Sequence, residues 1–255
     1  MFDRTRLLVG DDSMAKLAEV RVILFGVGGV GSWCAEALVR SGVTHLCIVD
    51  PDAVAPSNVN RQAMATTRTI GRPKVEAMRE RLMEINPDAE IDAVQDAYTP
   101  ETAVRFDLDA YDYIVDAVDS LSNKAELILN ACRSRAVFLS SMGAALKLDP
   151  TRVKVAEFWN VRGCPLGAAL RKRFRKRGTL PAKKFLCVYD DEVLPMRGAI
   201  PGQVGNDATG SGTSAIGGAI GGMDAGKAQI NGSMVSVTAI FGFTLAGLIL
   251  KDIIG

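Results

Sequence analysis

The residues best suited to chemistry begin with a cluster of glycines: Gly26, Gly28, Gly29 and Gly31. They follow an apolar run at residues 22–25 and precede a helix-forming segment at residues 32–40. Such glycines allow a tight turn and let bare backbone approach a phosphate, which the N–H groups of the following helix N-terminus attract. A second apolar run ends in Asp50, about 20 residues on, where a carboxylate can hold ribose hydroxyls. The pattern predicts a nucleotide site; a tight turn without a ligand is the alternative.

Basic, amide and acidic side chains follow where they can surround the same phosphates. Asn58, Arg61 and Lys74 come after the second strand, and Asp119 ends a later apolar strand. Ligands of open α/β sheets bind at the carboxyl ends of the strands, so we expect Asp119 and the glycines to share one crevice. Arginine and lysine can neutralise charge on a reacting α-phosphate and on departing pyrophosphate, and a carboxylate can hold Mg²⁺. The set predicts adenylyl transfer from ATP. An NAD-dependent oxidoreductase would have no specific use for it.

Alternating apolar and helical segments must position these residues, and they predict an α/β fold. We expect a Rossmann-like, doubly wound, mostly parallel sheet with antiparallel additions in the C-terminal half. The first twenty residues predict a helical arm laid against that sheet. The added strands are predicted at residues 142–146 and 153–158. The core strands and helices are predicted at residues 22–25, 32–40, 46–49, 73–85, 91–94, 100–106, 113–118, 123–132 and 136–140.

Composition excludes several classes of protein. With 255 residues and 48% hydrophobic content, the chain suits one large globular domain or one domain with an appendage. The five cysteines are never spaced as Cys-x-x-Cys and no signal peptide precedes them, which favours a reducing cytoplasm over a disulfide framework or a four-cysteine zinc site. The only histidine, His45, gives little support to a catalytic triad.

The second half carries a basic segment, a glycine-rich segment and an apolar tail. Residues 162–184 contain no acidic residue in a chain with a net charge of +1, which favours an anionic polymer as partner over a merely solvated helix face. Residues 198–232 predict a flexible loop or lid. Residues 235–250 predict a buried strand and helix, with membrane or dimer contact as the alternative. The centre of the basic segment is formed by Arg171, Lys172, Arg173, Arg175, Lys176 and Arg177.

Five motifs resemble the ThiF/MoeB superfamily, the adenylating enzymes related to ubiquitin-activating enzymes. The resemblance implies an ATP-binding adenylation core with an N-terminal arm at residues 1–150. Residues 151–255 are then a C-terminal extension packed with that core as one domain. The motifs occur in family order and spacing: Gly26-x-Gly28-Gly29-x-Gly31, Asp50-x-Asp52, Ser57-Asn58-x-x-Arg61-Gln62, Gly71-x-Pro73-Lys74 and Asp116-x-x-Asp119.

The same resemblance implies roles for individual residues. Arg61 is expected to stabilise the transferring phosphate, and Asn58 and Lys74 are expected to contact the nucleotide phosphates. Asp50 is expected to bind ribose, and Asp119 is expected to place Mg²⁺. The remaining residues of the expected nucleotide set, beside the glycines, are Asp52, Ser57 and Ser120.

The resemblance also implies a homodimer. Arg4 is similar to the N-terminal arginine that reaches into the partner's site in dimeric members, although Arg6 stands close by. The expected catalytic residues are therefore Arg61, Lys74, Asp119 and Arg4.

The second half resembles one group within the superfamily, the tRNA threonylcarbamoyladenosine dehydratases. Members that charge sulphur-carrier proteins commonly have two Cys-x-x-Cys pairs, which this chain lacks. One departure is Asp190, where that group is expected to have serine. The segments that carry the resemblance are Gly163-Cys164-Pro165-Leu166, Cys187-Val-Tyr-Asp190-Asp191-Glu192 and Gly232-Ser-Met-Val-Ser-Val-Thr-Ala-Ile-Phe-Gly242-Phe.

The group implies an ATP-dependent dehydration of threonylcarbamoyladenosine in tRNA. The modified nucleoside's carboxylate is adenylated with release of pyrophosphate, and ring closure then expels AMP. The basic segment would dock the anticodon arm. The alternative is an activator of a small sulphur-carrier or ubiquitin-like protein. The sequence leaves open a monovalent cation beside ATP and Mg²⁺, a cysteine desulfurase or sulphur-acceptor partner, and a thioester at Cys164 or Cys187 in place of buried structural thiols.

Overall fold

A computed structural model describes residues 1–198 and 231–255. The flexible loop or lid predicted for residues 198–232 therefore falls almost wholly outside the described residues.

A seven-stranded sheet forms the centre of the described chain, in the order β3-β2-β1-β4-β5-β7-β6. Each pair of neighbours is parallel except β6 and β7, which run antiparallel. The predicted α/β class, with a mostly parallel sheet and an antiparallel addition, is confirmed. The strands are β1 (Arg21–Phe25), β2 (His45–Val49), β3 (Glu90–Val94), β4 (Tyr113–Asp116), β5 (Val137–Ser141), β6 (Lys154–Glu157) and β7 (Leu186–Tyr189).

Helices cover both faces of the sheet because its central strands are apolar on both sides. Along β1, Val22 and Leu24 join the core cluster that contains α3, α4 and α7, whereas Ile23 and Phe25 join the cluster that contains α5 and α6. This alternation follows the two-residue period of a strand. The helices are α1 (Asp3–Val9), α2 (Asp11–Glu19), α3 (Gly31–Arg40), α4 (Lys74–Ile85), α5 (Leu121–Ala131), α6 (Pro165–Arg177) and α7 (Val235–Ile254).

Two predicted elements are wrong in the middle of the chain. Residues 100–106 form only the 3-10 turn Ala103–Arg105 in place of the predicted helical segment. Residues 142–146 form no strand in the described chain, since β7 takes the position beside β5 and Leu146 has a left-handed φ of 61°. The antiparallel strand predicted at 153–158 is confirmed as β6.

The apolar tail is one helix, not the predicted strand and helix. Val237, Phe241, Leu245 and Ile249 recur every four residues and are fully buried, mainly against α3. By length and composition, α7 is the one helix within the two described ranges that could span a membrane, although 44% of its apolar window is buried within the protein. This seam therefore fixes the tail on the same side of the sheet as α3.

Gly242 lets α7 approach α3 closely. A Cβ at this position would lie 2.4 Å from the Val30 carbonyl oxygen, whereas a Cβ at Gly247, on the same helix, meets nothing within 4 Å. We expect Gly242→Ala to lower the free energy of unfolding by about 1–3 kcal/mol, because backbone atoms must move. Gly247→Ala, the matched control, should leave it unchanged or raise it by up to about 1 kcal/mol through helix propensity. Urea denaturation measures both, and equal effects would contradict the packing account.

Candidate functional site

The turn between β1 and α3 lies at the carboxyl end of the sheet and contains the predicted glycines. Gly26 has a φ of 90°, and a Cβ there would lie 2.7 Å from the Ala117 carbonyl oxygen. A Cβ at Gly31 would lie 1.8 Å from the Gly26 carbonyl oxygen. These two glycines are therefore required by the packing of the protein itself. Gly28 has more room, since a Cβ there would meet only Gln62 Nε2 at 3.9 Å, so a phosphate could approach the backbone at this position.

Asp50 is fixed directly beneath this turn. One carboxylate oxygen accepts the Val27 N–H at 2.7 Å, and the other accepts the Asp52 N–H at 3.0 Å. Burial raises the pKa of Asp50, and the ammonium of Lys74, 3.4 Å away, opposes that shift. Each oxygen still has lone-pair capacity, so Asp50 can accept a ribose hydroxyl while it holds the glycine turn.

Lys74 begins α4 and points its ammonium into the same acidic corner. The side chain is buried, and Nζ donates to Asp52 Oδ2 at 2.7 Å. The isolated bridge between Ala53 and Pro73, with the Lys74 N–H bonded to the Asp52 carbonyl, carries the start of α4 back to the end of β2. The structure thus brings Asp50, Asp52 and Lys74 together as the sequence predicted.

The loop that follows β2 places Arg61 against the glycines. A Cβ at Gly29 would lie 3.2 Å from Arg61 Cγ. The guanidinium donates to the Ser57 carbonyl oxygen at 2.8 Å, and the Arg61 carbonyl oxygen accepts the Trp33 indole N–H at 2.9 Å. Asn58 is buried and its side-chain oxygen accepts the Ala55 N–H at 2.9 Å, which leaves its two amide N–H groups as donors.

The end of β4 is fixed by a buried ion pair that the sequence did not predict. Asp116 and Lys124 are fully buried and 2.7 Å apart, and Asp116 also accepts the Ser140 hydroxyl at 2.7 Å. Lys124 donates to the Val118 carbonyl oxygen at 2.9 Å, so the pair shapes the turn that carries Asp119. A lysine in register with the apolar stripe of α5 is the signal that could have revealed it. Asp119 is exposed and Ser120 is half-buried at the mouth of the crevice.

Arg4 is not brought to this crevice within one chain. It lies exposed on α1, which packs against α2, and it makes no hydrogen bond or salt bridge among the residues that the structure describes. Its neighbour Arg6 pairs with Asp11 at 3.0 Å. The expected role of Arg4 in a partner's site stays a prediction.

A buried glutamine beside the turn has a polar atom that a nucleotide could hydrogen-bond. The Gln62 side chain is buried, and its Nε2 would lie 3.9 Å from a Cβ at Gly28. Its Oε1 is buried without a hydrogen-bond partner in residues 1–198 and 231–255. Buried acceptors are normally satisfied, so a ligand hydroxyl or amino group could complete this one. The residues present therefore suit a nucleotide that approaches Gly28.

The cysteines are poorly suited to act as nucleophiles. All five are buried free thiols. Burial raises the pKa of Cys34 to about 12 and those of Cys47 and Cys132 to about 11, and it raises the pKa of Cys187 well above its usual range. The thiolate is the reactive form, so these environments favour structural roles.

The basic segment forms α6, and its six central residues divide into two sets. Arg171 donates to the Phe158 carbonyl oxygen at 3.2 Å, and the Arg175 guanidinium lies 5.6 Å from the centre of the Trp159 ring. Arg173 is half-buried, so these three arginines also support the packing of α6. The exposed residues without such a contact are Lys172, Lys176 and Arg177.

Comparison with known proteins gives a consistent result over nearly the whole chain. The ThiF family model matches residues 2–255. A tRNA threonylcarbamoyladenosine dehydratase of Bacillus subtilis is 39% identical over 207 residues, which cover 81% of each chain. An Escherichia coli tRNA N6-threonylcarbamoyladenosine dehydratase solved with ATP has a TM-score of 0.79 and 30% identity, with 99% of this chain and 93% of that chain covered. The same enzyme solved with AMP gives the same TM-score, identity and coverage.

Proposed function

This chain belongs to the ThiF family, and we propose from that premise that it dehydrates threonylcarbamoyladenosine in tRNA at the expense of ATP. The observation that carries the proposal is the similarity, across 99% of the chain, to a dehydratase solved with ATP and with AMP. Those ligands are the substrate and a product of an adenylation reaction. The glycine turn with Arg61 and Lys74 beside it supplies the phosphate-binding groups that such a reaction needs.

The first step is attack of the threonyl carboxylate on the α-phosphate of ATP. The P–O bond to the β-phosphate breaks, pyrophosphate leaves and a mixed anhydride with AMP forms. Arg61 stabilises the charge on the transferring phosphate, and Lys74 and the Asn58 amide contact the nucleotide phosphates. Asp50 holds the ribose. Such positioning and electrostatic stabilisation can provide most of the rate enhancement.

We also propose that Asp119 holds Mg²⁺, which supplies neutralising charge for the departing pyrophosphate. No cluster of three metal-ligating side chains occurs within the described ranges. Mg²⁺ is commonly held by one or two carboxylates together with substrate phosphates and water, so the single carboxylate of Asp119 is sufficient for the proposed site. Asp119 is exposed at the crevice mouth, whereas Asp116 is committed to Lys124. Ser57, Asp52 and Ser120 are proposed to complete the nucleotide contacts.

The second step is intramolecular. The neighbouring carbamoyl group attacks the activated carbonyl, a ring closes, AMP leaves and one proton is released. The net result is loss of water from the nucleoside. Because the reacting groups belong to one molecule, high effective molarity replaces a protein nucleophile. The raised thiol pKa of Cys187 accords with a route that needs no thioester.

We propose that α6 docks the anticodon arm of the tRNA through its exposed basic side chains. The chain is further proposed to act in the cytoplasm as a homodimer, in which Arg4 completes the partner's site. A cysteine desulfurase system stays a candidate partner. The adenylation core at residues 1–150 and the extension at residues 151–255 remain the proposed organisation, with strands from both in one sheet.

Replacing Arg61 tests the proposed reaction. Arg61→Ala should abolish ATP-dependent loss of water from threonylcarbamoyladenosine in tRNA, because the transferring phosphate loses its cation. Arg68→Ala, an exposed arginine in the following turn, is the matched control and should retain activity. Mass spectrometry of the nucleosides, with a work-up that preserves a labile ring, measures both. Full activity in Arg61→Ala would refute the assignment, and no water loss with the unmodified protein would refute the proposed substrate.

Salt dependence tests the docking of tRNA on α6. Phosphate contacts release counterions, so the logarithm of tRNA affinity should fall steeply with the logarithm of salt concentration. Lys172→Ala and Lys176→Ala should each reduce that slope by about 1. Arg79→Ala, on α4 at the other face of the sheet, should leave the slope unchanged. Equal slopes in the unmodified protein and in all three variants would indicate that α6 is a solvated helix face and not the tRNA-docking surface.

A further inference from the structure

A buried carboxylate with a free acceptor lies outside the residues assigned so far. Asp190 directly follows β7 and is fully buried. Its Oδ1 accepts the Glu192 N–H at 2.6 Å, but its Oδ2 is buried with no hydrogen-bond partner in the part of the chain that the structure describes. The nearby Arg152 binds Asp191 at 2.7 Å and stays 3.9 Å from Asp190 Oδ1. Asp190 thus retains an acceptor that the fold itself does not use.

A buried lysine lies beside this carboxylate. Lys147 is only 4% exposed, and its ammonium donates to the Glu192 carbonyl oxygen. Glu192 also donates its N–H to Asp190 Oδ1 at 2.6 Å, so Lys147 and Asp190 both contact the backbone of Glu192. Burial lowers the pKa of Lys147, and the charge of Asp190 opposes that shift. Within the described residues, the ion pair of Asp190 is its 3.9 Å contact with Arg152, and no salt bridge joins it to Lys147. An ammonium has three N–H donors, so Lys147 keeps donors for another group.

The pair lies on the same sheet edge as the phosphate site. β7 is parallel to β5 and β5 is parallel to β4, so Asp190 lies at the carboxyl edge that also carries Asp119. Ligands of such sheets bind along this edge.

Hydrogen bonds connect both Leu146, which precedes Lys147, and the loop that contains Arg61 to the segment before α7. The Leu146 N–H donates to the Gly232 carbonyl oxygen at 2.9 Å, and the Asn60 amide donates to the carbonyl oxygen of Ser233 at 3.0 Å. Lys147 and Arg61 each lie one residue from these bonds. Asp190 and Lys147 are thus positioned to contact a substrate group that is attached to the carboxylate adenylated beside Arg61.

The ureido group of threonylcarbamoyladenosine has the complementary chemistry, with two N–H donors and one carbonyl acceptor. We propose that Asp190 and Lys147 bind this ureido group, with Asp190 Oδ2 accepting an N–H and Lys147 donating to the carbonyl oxygen. The inference rests on the proposed function. Both are positioning residues, because they hold the modified nucleoside so that its carboxylate meets the α-phosphate. They also distinguish the modified base from plain adenosine.

Asp190→Asn and Lys147→Met test this assignment. Asp190→Asn keeps the bond to Glu192 but can turn an acceptor into a donor, and Lys147→Met keeps much of the side-chain volume. For both, we expect the KM for the modified tRNA to rise at least about 10-fold, as loss of a hydrogen bond to a charged group implies. The affinity for ATP and for tRNA that lacks threonylcarbamoyladenosine should stay unchanged. Asp190→Ser, which restores an acceptor, should recover much of the KM, and Asp191→Asn is the matched control.

The outcomes separate the two proposals. Failure of the unmodified protein to dehydrate the modified tRNA overturns the proposed function and this inference with it. Turnover by the unmodified protein with an unchanged KM in both variants overturns the inference alone. A parallel loss of ATP affinity and melting temperature assigns the pair to the fold and also overturns it. Loss confined to the modified tRNA, with recovery in Asp190→Ser, supports it.

Discussion

Close backbone packing at the carboxyl end of β1 is the constraint on which the crevice depends. A side chain at Gly26 would collide with the Ala117 carbonyl, and one at Gly31 would collide with Gly26 itself. The chain therefore turns into α3 within a few residues and stays against the turn after β4. This contact places the N-terminus of α3, with its free N–H groups, at the edge where Asp119 emerges.

Two buried charged groups at that edge each have an ionic partner. Lys124 satisfies Asp116 beneath the turn after β4, and Lys74 lies between Asp50 and Asp52 beneath the glycines. Removal of one member of such a pair commonly costs about 3–5 kcal/mol, since a buried charge is left uncompensated. Arg61 and Asp119 belong to neither pair, which leaves them available for the proposed phosphate and Mg²⁺ contacts respectively. Asp50 and Lys74 therefore belong both to a buried ion pair and to the proposed nucleotide contacts.

Local patterns predicted the parallel core and much of the nucleotide crevice, because strand, glycine turn and helix follow one another directly in the sequence. The errors arose where distant partners decide the structure. The short strand β7 gains its place only by pairing with β5 and β6. The tail is helical because the apolar residues that recur every four positions pack on α3. The burial of Lys124 is explained by its ion pair with Asp116, which belongs to a different predicted element. No sequence pattern shows that Arg171 and Arg175 contact aromatic residues before α6, or that Asp190 keeps a free acceptor.

Isotope transfer tests the central claim, adenylation of the substrate carboxylate, most directly. Modified tRNA whose threonyl carboxylate carries ¹⁸O would be incubated with the protein and ATP, and AMP and pyrophosphate would be analysed by mass spectrometry. Attack of the carboxylate on the α-phosphate predicts that ¹⁸O appears in AMP and is absent from pyrophosphate. Formation of the cyclic nucleoside with unlabelled AMP, or with ADP and labelled phosphate, would contradict the account.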